Sequence, residues 1–197
     1  RVKLNADSSI EFAEGLQGKT RLIKLTGEAF FEVAEDTSRP FVVLLYDSIR
    51  VMALGTSFNI SAYDDEDRIE IALASGKVQI RNNFEVLQND EKEQFLSPGE
   101  AYQFNKKNGE ATNKLFDIRK TLGWKDGILY FNDTPKKEIH RRLERWYGVD
   151  IQQNKTVYRE ASFTGEFKDE TLKNVLENMS AACKFKYGIK GKKVIIF

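Results

Sequence analysis

Residues 23–33 read Ile23-Lys24-Leu25-Thr26-Gly27-Glu28-Ala29-Phe30-Phe31-Glu32-Val33. The odd positions carry Ile, Leu, Gly, Ala, Phe and Val, and the even positions carry Lys, Thr, Glu, Phe and Glu. Side chains alternate across a strand, so this period of two predicts a strand with one buried face. Gly27 inside such a run marks a bulge or a close backbone approach. Working outward, Glu35–Pro40 reads as a turn and Phe41–Tyr46 as a short buried strand. Met52, Leu54, Thr56, Phe58 and Ile60 form a second alternating set. The acidic run Asp64-Asp65-Glu66-Asp67 separates it from Ile69–Leu73. Ser75-Gly76 turns into Lys77–Ile80, and Ser97-Pro98-Gly99-Glu100 turns into Ala101–Phe104. Residues 106–114 are polar and read as a hairpin loop or the approach to a linker. No helical period precedes residue 115. Short strands punctuated by turns predict a β-sandwich or jelly-roll-like domain over residues 1–117.

The period changes from Asp126 onward. Gly127–Asn132 is strand-like, Asp133 or Thr134 is placed to cap a helix with Pro135 in its first turn, and Ile139, Leu143 and Trp146 recur at helical spacing. Gly148 stops that helix and Val149-Asp150-Ile151 starts a strand. The phrase recurs 36 residues later: Phe131 maps to Phe167, Asp133 to Asp169, Ile139 to Val175, Leu143 to Met179, Val149 to Phe185 and Ile151 to Tyr187. Two strand–helix–strand units in tandem predict a small α+β domain over residues 118–197. It closes with a terminal hairpin, Lys186–Ile189 and Val194–Phe197 around Lys190-Gly191-Lys192.

Composition narrows the chemistry. The 197 residues include 31 Lys+Arg, 30 Asp+Glu, one His and one Cys, for a net charge of +1. One Cys excludes an intrachain disulfide and a cysteine zinc site, and one His excludes a two-His metal cage. Near-neutral charge provides no global field to gather nucleic acid or an anionic membrane. No apolar run approaches the length of a bilayer span. The chain opens at Arg1 inside a strand-like phrase, without Met or a signal peptide, and is expected to be the excised soluble part of a longer protein.

At this point a set of phrases carries a resemblance. In the first domain they are Leu25-Thr-Gly-Glu-Ala-Phe-Phe-Glu-Val33, Arg39-Pro-Phe41, Leu54-Gly-Thr-Ser-Phe-Asn-Ile60 with Tyr63, and Leu96-Ser-Pro-Gly-Glu100. In the second they are Trp124-Lys-Asp-Gly127, Leu143-Glu-Arg-Trp-Tyr147 and Phe163-Thr-Gly-Glu-Phe167. In order and spacing they resemble the periplasmic region of FecR-family anti-sigma factors of the Bacteroidetes type, nearly end to end. The resemblance implies a FecR domain followed by a domain similar to the short N-terminal signalling modules of secretins and TonB-dependent receptors. It implies a periplasmic location as part of a single-pass inner-membrane protein, with the membrane reached only through an upstream helix outside this chain. It also implies two partners. One is the N-terminal signalling domain of a TonB-dependent outer-membrane transporter. The other is an extracytoplasmic-function sigma factor, held by a cytoplasmic segment that this chain lacks. Neither nucleic acid nor a cofactor is implied.

Several individual residues carry a functional reading beside a plainer one. His140 shares a helix with Lys136, Lys137, Arg141, Arg142 and Arg145 and reads as part of a solvated face. Arg141 and Arg145 on that helix are candidate contacts for an acidic partner. The Asp64–Asp67 run lacks the spacing of a calcium loop and reads as a solvated hairpin turn. Cys183 reads as a small hydrophobe, and Trp124, Trp146 and Tyr147 as core or junction packing rather than a ligand platform. Some members of the resembled family cut themselves at a Gly-Thr bond in the matching phrase. That implies Gly55 and Thr56 as a self-processing pair, through attack of the Thr hydroxyl on the preceding carbonyl; the alternative is a bend at Gly55 followed by an ordinary strand residue. If the terminal strand Val194, Ile195, Ile196 and Phe197 lies at a sheet edge, its backbone could take a partner strand. The chain is expected to be non-enzymatic, with no metal and no cofactor. Two alternatives stand beside the signal-relay reading: a carbohydrate-binding β-sandwich module, which needs a planar row of exposed aromatics, and a glycoside hydrolase accessory or catalytic domain, which needs converging acids.

Overall fold

A computed structural model describes residues 1–12, 20–46, 48–82, 93–153 and 162–197. The chain is mostly β-sheet with few helices and divides into two units, Arg1–Lys125 and Asp126–Phe197. The division falls later than residue 117/118. The short helix α1 (Ile118–Leu122) and the 3-10 turn Gly123–Asp126 follow the sheet, and Thr121 and Trp124 hydrogen-bond back into it.

The first unit carries β1 (Val2–Leu4), β2 (Ser9–Phe12), β3 (Arg21–Glu32), β4 (Phe41–Leu45), β5 (Ile49–Ala62), β6 (Arg68–Asn82), β7 (Glu93–Leu96), β8 (Glu100–Asn105) and β9 (Ala111–Leu115). Among the described residues the strands connect in the order β1-β3-β4-β5-β6-β8-β9, with β2 on β3 and β7 on β6. Every pairing is antiparallel except β3 with β4. In β3 the odd positions Ile23, Leu25, Ala29 and Phe31 are buried, as the alternation predicts. Gly27 has a φ of +92°, and a Cβ there would stand 2.3 Å from Ser8 Oγ. The Ser8 hydroxyl takes that space and accepts a hydrogen bond from the Glu28 N–H at 2.8 Å.

The set Met52, Leu54, Thr56, Phe58 and Ile60 is not one face. Before Gly55 the β5 residues buried on the main-core side are Ile49, Val51 and Ala53; after it they are Thr56, Phe58, Ile60 and Ala62. The buried parity switches where the β5–β6 register slips between Leu54 and Phe58. In β6 the same switch separates Ile69, Ile71 and Leu73 from Val78 and Ile80. A bulge adds one residue to one side of a ladder and so exchanges the faces beyond it. Gly55 and Gly76 supply the left-handed backbone, with φ of +60° and +84°. They also touch: a Cβ on Gly76 would lie 2.6 Å from the Gly55 carbonyl oxygen.

The second unit carries β10 (Ile128–Pro135), α2 (Lys136–Tyr147), β11 (Asp150–Gln153), β12 (Ser162–Lys168), α3 (Leu172–Cys183), β13 (Tyr187–Lys190) and β14 (Lys193–Ile196). The helices begin 36 residues apart, at Lys136 and Leu172, and both end on a left-handed residue, Gly148 and Lys184. Asp133 and Asp169 also share positive φ, 44° and 51°. The strands interlock: β10 pairs antiparallel with β12, while β11, β14 and β13 form a separate three-stranded sheet in that order. Leu129, Phe131, Ile139, Leu143, Val175, Leu176, Met179, Val194 and Ile196 close one core. The capping expectation for α2 fails. Pro135 is the cap residue, with no side-chain bond. Asp133 is engaged by Ser162 and Thr164, and the Thr134 hydroxyl bonds to Asn132. The equivalent cap of α3, Thr171, accepts from the Asn174 N–H at 3.3 Å.

The paired bulge makes a stability prediction. Gly76→Ala adds a Cβ against backbone at a left-handed position and should lower unfolding free energy by about 1–3 kcal/mol or more. Gly99→Ala, at φ +92° with nothing within 4 Å, should cost visibly less in the same urea titration.

Candidate functional site

Three places answer to the residues singled out in the sequence, and the fold adds a fourth. The first is Gly55-Thr56, at the bulge. Thr56 is 2% exposed. Its hydroxyl lies 2.9 Å from the Leu54 carbonyl oxygen and 3.0 Å from that of Lys77, and its backbone exchanges hydrogen bonds with Val33. Both side-chain partners are carbonyl oxygens, which orient the hydroxyl but do not take its proton. A hydroxyl nucleophile needs a base for that.

The second place is the basic helix α2. Arg142 turns onto its own unit, donating to the Tyr130 carbonyl at 2.8 Å, with its guanidinium 4.8 Å from the Phe131 ring centroid. His140 is half-buried rather than solvated. Burial, and secondarily the charge of Lys136, push its pKa down to about 4, so it is neutral at pH 7. Arg141 and Arg145 are half-buried on the same helix.

The third is the three-stranded sheet. Val194–Phe197 does not form an edge: β14 is the middle strand, parallel to β11 and antiparallel to β13. The parallel pairing of Asp150–Gln153 occupies the side expected to be open. Val194 and Ile196 are buried in the core, whereas Ile195 and Phe197 are 43% and 46% exposed.

The fourth was not visible in the sequence. On the outer face of the first unit, register places Phe30, Asn59, Ala72 and Ala101 in one row across β3, β5, β6 and β8. Asn59, Ala72 and Ala101 are at most 1% exposed despite facing away from the main core. Asn59 donates to Glu28 Oε1 at 2.9 Å and accepts from the Trp124 indole N–H at 3.2 Å. Glu28 Oε2 accepts from Asn5 at 2.6 Å. The Lys3 ammonium donates to the Lys125 carbonyl, and the Lys125 ammonium sits 5.3 Å from the Phe30 ring centroid. The strand β1 and the segment leading out of the unit thus meet on one polar cluster. A buried Asn between Phe58 and Ile60 was the available signal.

The remaining candidates take plainer places. The acidic turn is tied by side chains: the Tyr46 hydroxyl donates to Asp64 at 2.8 Å, and Lys107 reaches Asp67 at 2.7 Å. Burial, and then the Asp64 carboxylate, push Tyr46 up to about 12. Among the described residues no group of three or more His, Cys, Asp or Glu could hold a metal ion. Cys183, Trp146 and Tyr147 pack half-buried against the second core. Among the described residues the exposed aromatics are Phe12, Tyr46, Phe95 and Phe197. Lysine ammonium groups stand 4.5 and 4.3 Å from the Tyr46 and Phe95 ring centroids.

Each unit contains a match to one family model. "FecR protein" matches residues 1–79 and "FecR, C-terminal" matches residues 128–196. Two crystal structures of a "putative anti-sigma factor" from Parabacteroides distasonis match over the whole length. Each is 30% identical with a TM-score of 0.83, covers 100% of this chain, and is itself covered to 89% and 88%. The chain belongs to the FecR family. No curated protein matches it. Among the described residues of this FecR-family chain, no helix is long and apolar enough to cross a membrane.

Three expectations follow for this FecR-family protein. Asn59→Ala leaves the Glu28 carboxylate and the Trp124 N–H without their shared partner, and should cost about 1–3 kcal/mol in denaturant unfolding. His140 binds its proton less readily folded than unfolded. Its contribution is therefore constant above pH 6.5 and turns destabilising as pH falls from 6.5 toward 4. His140→Gln should flatten that part of the stability–pH curve. For Gly55-Thr56, intact mass after prolonged incubation should show one full-length species.

Proposed function

We propose that this chain is the partner-receiving portion of a transmembrane anti-sigma factor. Its first unit acts as a FecR-type β-sandwich. Its second unit acts as a signalling module like those of secretins and TonB-dependent receptors. It stands in the periplasm, carried by an inner-membrane helix upstream. A TonB-dependent transporter loaded with its substrate presents an N-terminal signalling domain to this portion. The change passes to a cytoplasmic segment that holds or releases an extracytoplasmic-function sigma factor. The reading is non-enzymatic: it works by contact between proteins.

The supporting observation is the full-length match, across both units at once, to a protein named as an anti-sigma factor. A sugar-binding sandwich is less favoured. Two of the four exposed aromatic rings carry an ammonium group beside the ring, where a sugar would have to stack. A hydrolase is less favoured because Glu28, the acid of the buried polar cluster, and Asp64 of the acidic turn are engaged as acceptors in structural hydrogen bonds.

The test is a direct binding titration. Isolated N-terminal signalling domains of TonB-dependent transporters from the same organism are titrated onto the immobilised chain. Saturable binding of at least one domain, with no binding of the purified sigma factors, is the expected result. Binding of none would reject the relay.

A further inference from the structure

The outer face of the three-stranded sheet combines an apolar centre with a cationic rim. Register fixes which side chains share it. On β14, Lys193, Ile195 and Phe197 alternate with the buried Val194 and Ile196. Opposite them on β13 stand Lys190 and Gly188, and Lys186 exchanges two backbone hydrogen bonds of 2.9 Å with Phe197. On β11, Asp150 lies opposite Lys193 and Gln152 opposite Ile195. Antiparallel partners directly across a ladder point to the same side. The face therefore presents Ile195 and Phe197 beside Gly188, bordered by Lys186, Lys190 and Lys193.

Gly188 keeps the centre open. A Cβ at that position would stand 3.8 Å from the Phe197 ring, in van der Waals contact. All three lysines are exposed. Among the described side chains that the register places on this face, the carboxylate is that of Asp150, which accepts from Gln152 at 2.8 Å. From residue 178 to 197 the sequence has five Lys and no Asp or Glu, although the whole chain is charge-balanced. The positive charge is thus local to this hairpin. Half-exposed apolar residues bordered by three lysines of the β13–β14 hairpin and by Gln152 and Asp150 on the β11 side match the anatomy of a protein interface, with an apolar centre and a polar rim.

We propose that this face docks an acidic protein surface: an apolar patch bordered by carboxylates, which cover Ile195 and Phe197 and pair with Lys186, Lys190 and Lys193. The proposal rests on the relay reading and deepens it by placing the transporter domain on this face rather than on α2 or along a sheet edge. The rim charges steer encounter, and the apolar centre sets how long the complex lasts. Ile195 sits within β14 and Phe197 directly follows it, so the apolar centre lies on a sheet face rather than at a loop tip, which suits a folded partner better than a lipid surface.

The experiment uses the whole chain and the isolated transporter signalling domains, titrated by calorimetry or biolayer interferometry at two salt concentrations. Three variants are compared with the natural chain: Ile195→Asp; Lys186→Glu with Lys190→Glu and Lys193→Glu; and Arg141→Glu with Arg145→Glu. All changed sites on the face are exposed, and circular dichroism with a thermal melt confirms that each variant is folded. The expected result is at least about tenfold weaker binding for the first two, with a reduced salt dependence for the lysine reversal, and an unchanged Kd for the arginine reversal. Binding by the natural chain that survives both face variants overturns the proposal and leaves the relay standing. Failure of every transporter domain to bind the natural chain overturns both. Phosphatidylglycerol vesicles form the last arm: sedimentation of the natural chain with them, lost on lysine reversal, would assign the face to lipid and overturn the proposal.

Discussion

The contact between Gly55 and Gly76 governs the first unit. Two long strands, β5 and β6, each have to bury one set of side chains at one end and the opposite set at the other. A strand of fixed pleat cannot do that, because its faces alternate without interruption. The register slip at Leu54–Phe58 resolves the conflict. Left-handed glycines allow the slip, and the buried Thr56 hydroxyl ties it by bonding to Leu54 and Lys77. The carbonyl of Gly55 then approaches Gly76 so closely that no side chain fits. On this account Gly55-Thr56 is explained by backbone geometry before any chemistry is invoked.

The opposite side of the sheet shows why the unit does not stop at its last strand. Ala72 and Ala101 are small residues facing outward, yet they are fully buried. Small side chains permit close approach, and on this side Thr121 and Trp124 hydrogen-bond to Glu70 and Asn59. Asn59 is the polar member of that row. In a dry setting its amide must find both a donor and an acceptor partner. Trp124 and Glu28 supply them, and Glu28 in turn engages Asn5. The residue after β1 and the segment leading out of the unit are thus held on one hydrogen-bonded cluster, in which Glu28 and Asn59 link Asn5 to Trp124. Such a network is costly to leave half satisfied, which favours it moving as a unit.

Much of this was legible in the sequence, and the failures share a cause. The Ile23–Val33 alternation, the terminal hairpin and the two helices 36 residues apart were readable because each leaves a local pattern. Gly27 was readable as a close approach because glycine inside a strand has few other uses. The parity switch in β5 was missed because Met52 and Leu54 are as apolar as Val51 and Ala53, so either set fits the pattern. Asn59 and the outer alanines were missed because nothing local marks a strand as covered on both faces. His140 looked solvated among cations, but the neighbourhood that buries it is tertiary. The terminal strand looked like an edge because its neighbour β11 arrives from more than forty residues upstream in a parallel pairing that no turn announces.

That parallel pairing also decides what the second unit can offer outward. Its sheets do not follow chain order: β10 pairs with β12, and β14 is inserted between β11 and β13. Neither sheet is therefore complete without strands from both ends of the unit. Inserting β14 consumes its backbone donors and acceptors on both sides, so strand addition at β14 itself is closed. Its outward side chains are left free, because the same pleat that buries Val194 and Ile196 must expose Ile195 and Phe197. An apolar pair at the middle of a sheet, displayed by the core packing of its neighbours and bordered by lysines on an otherwise balanced chain, is a feature that core stability alone does not require.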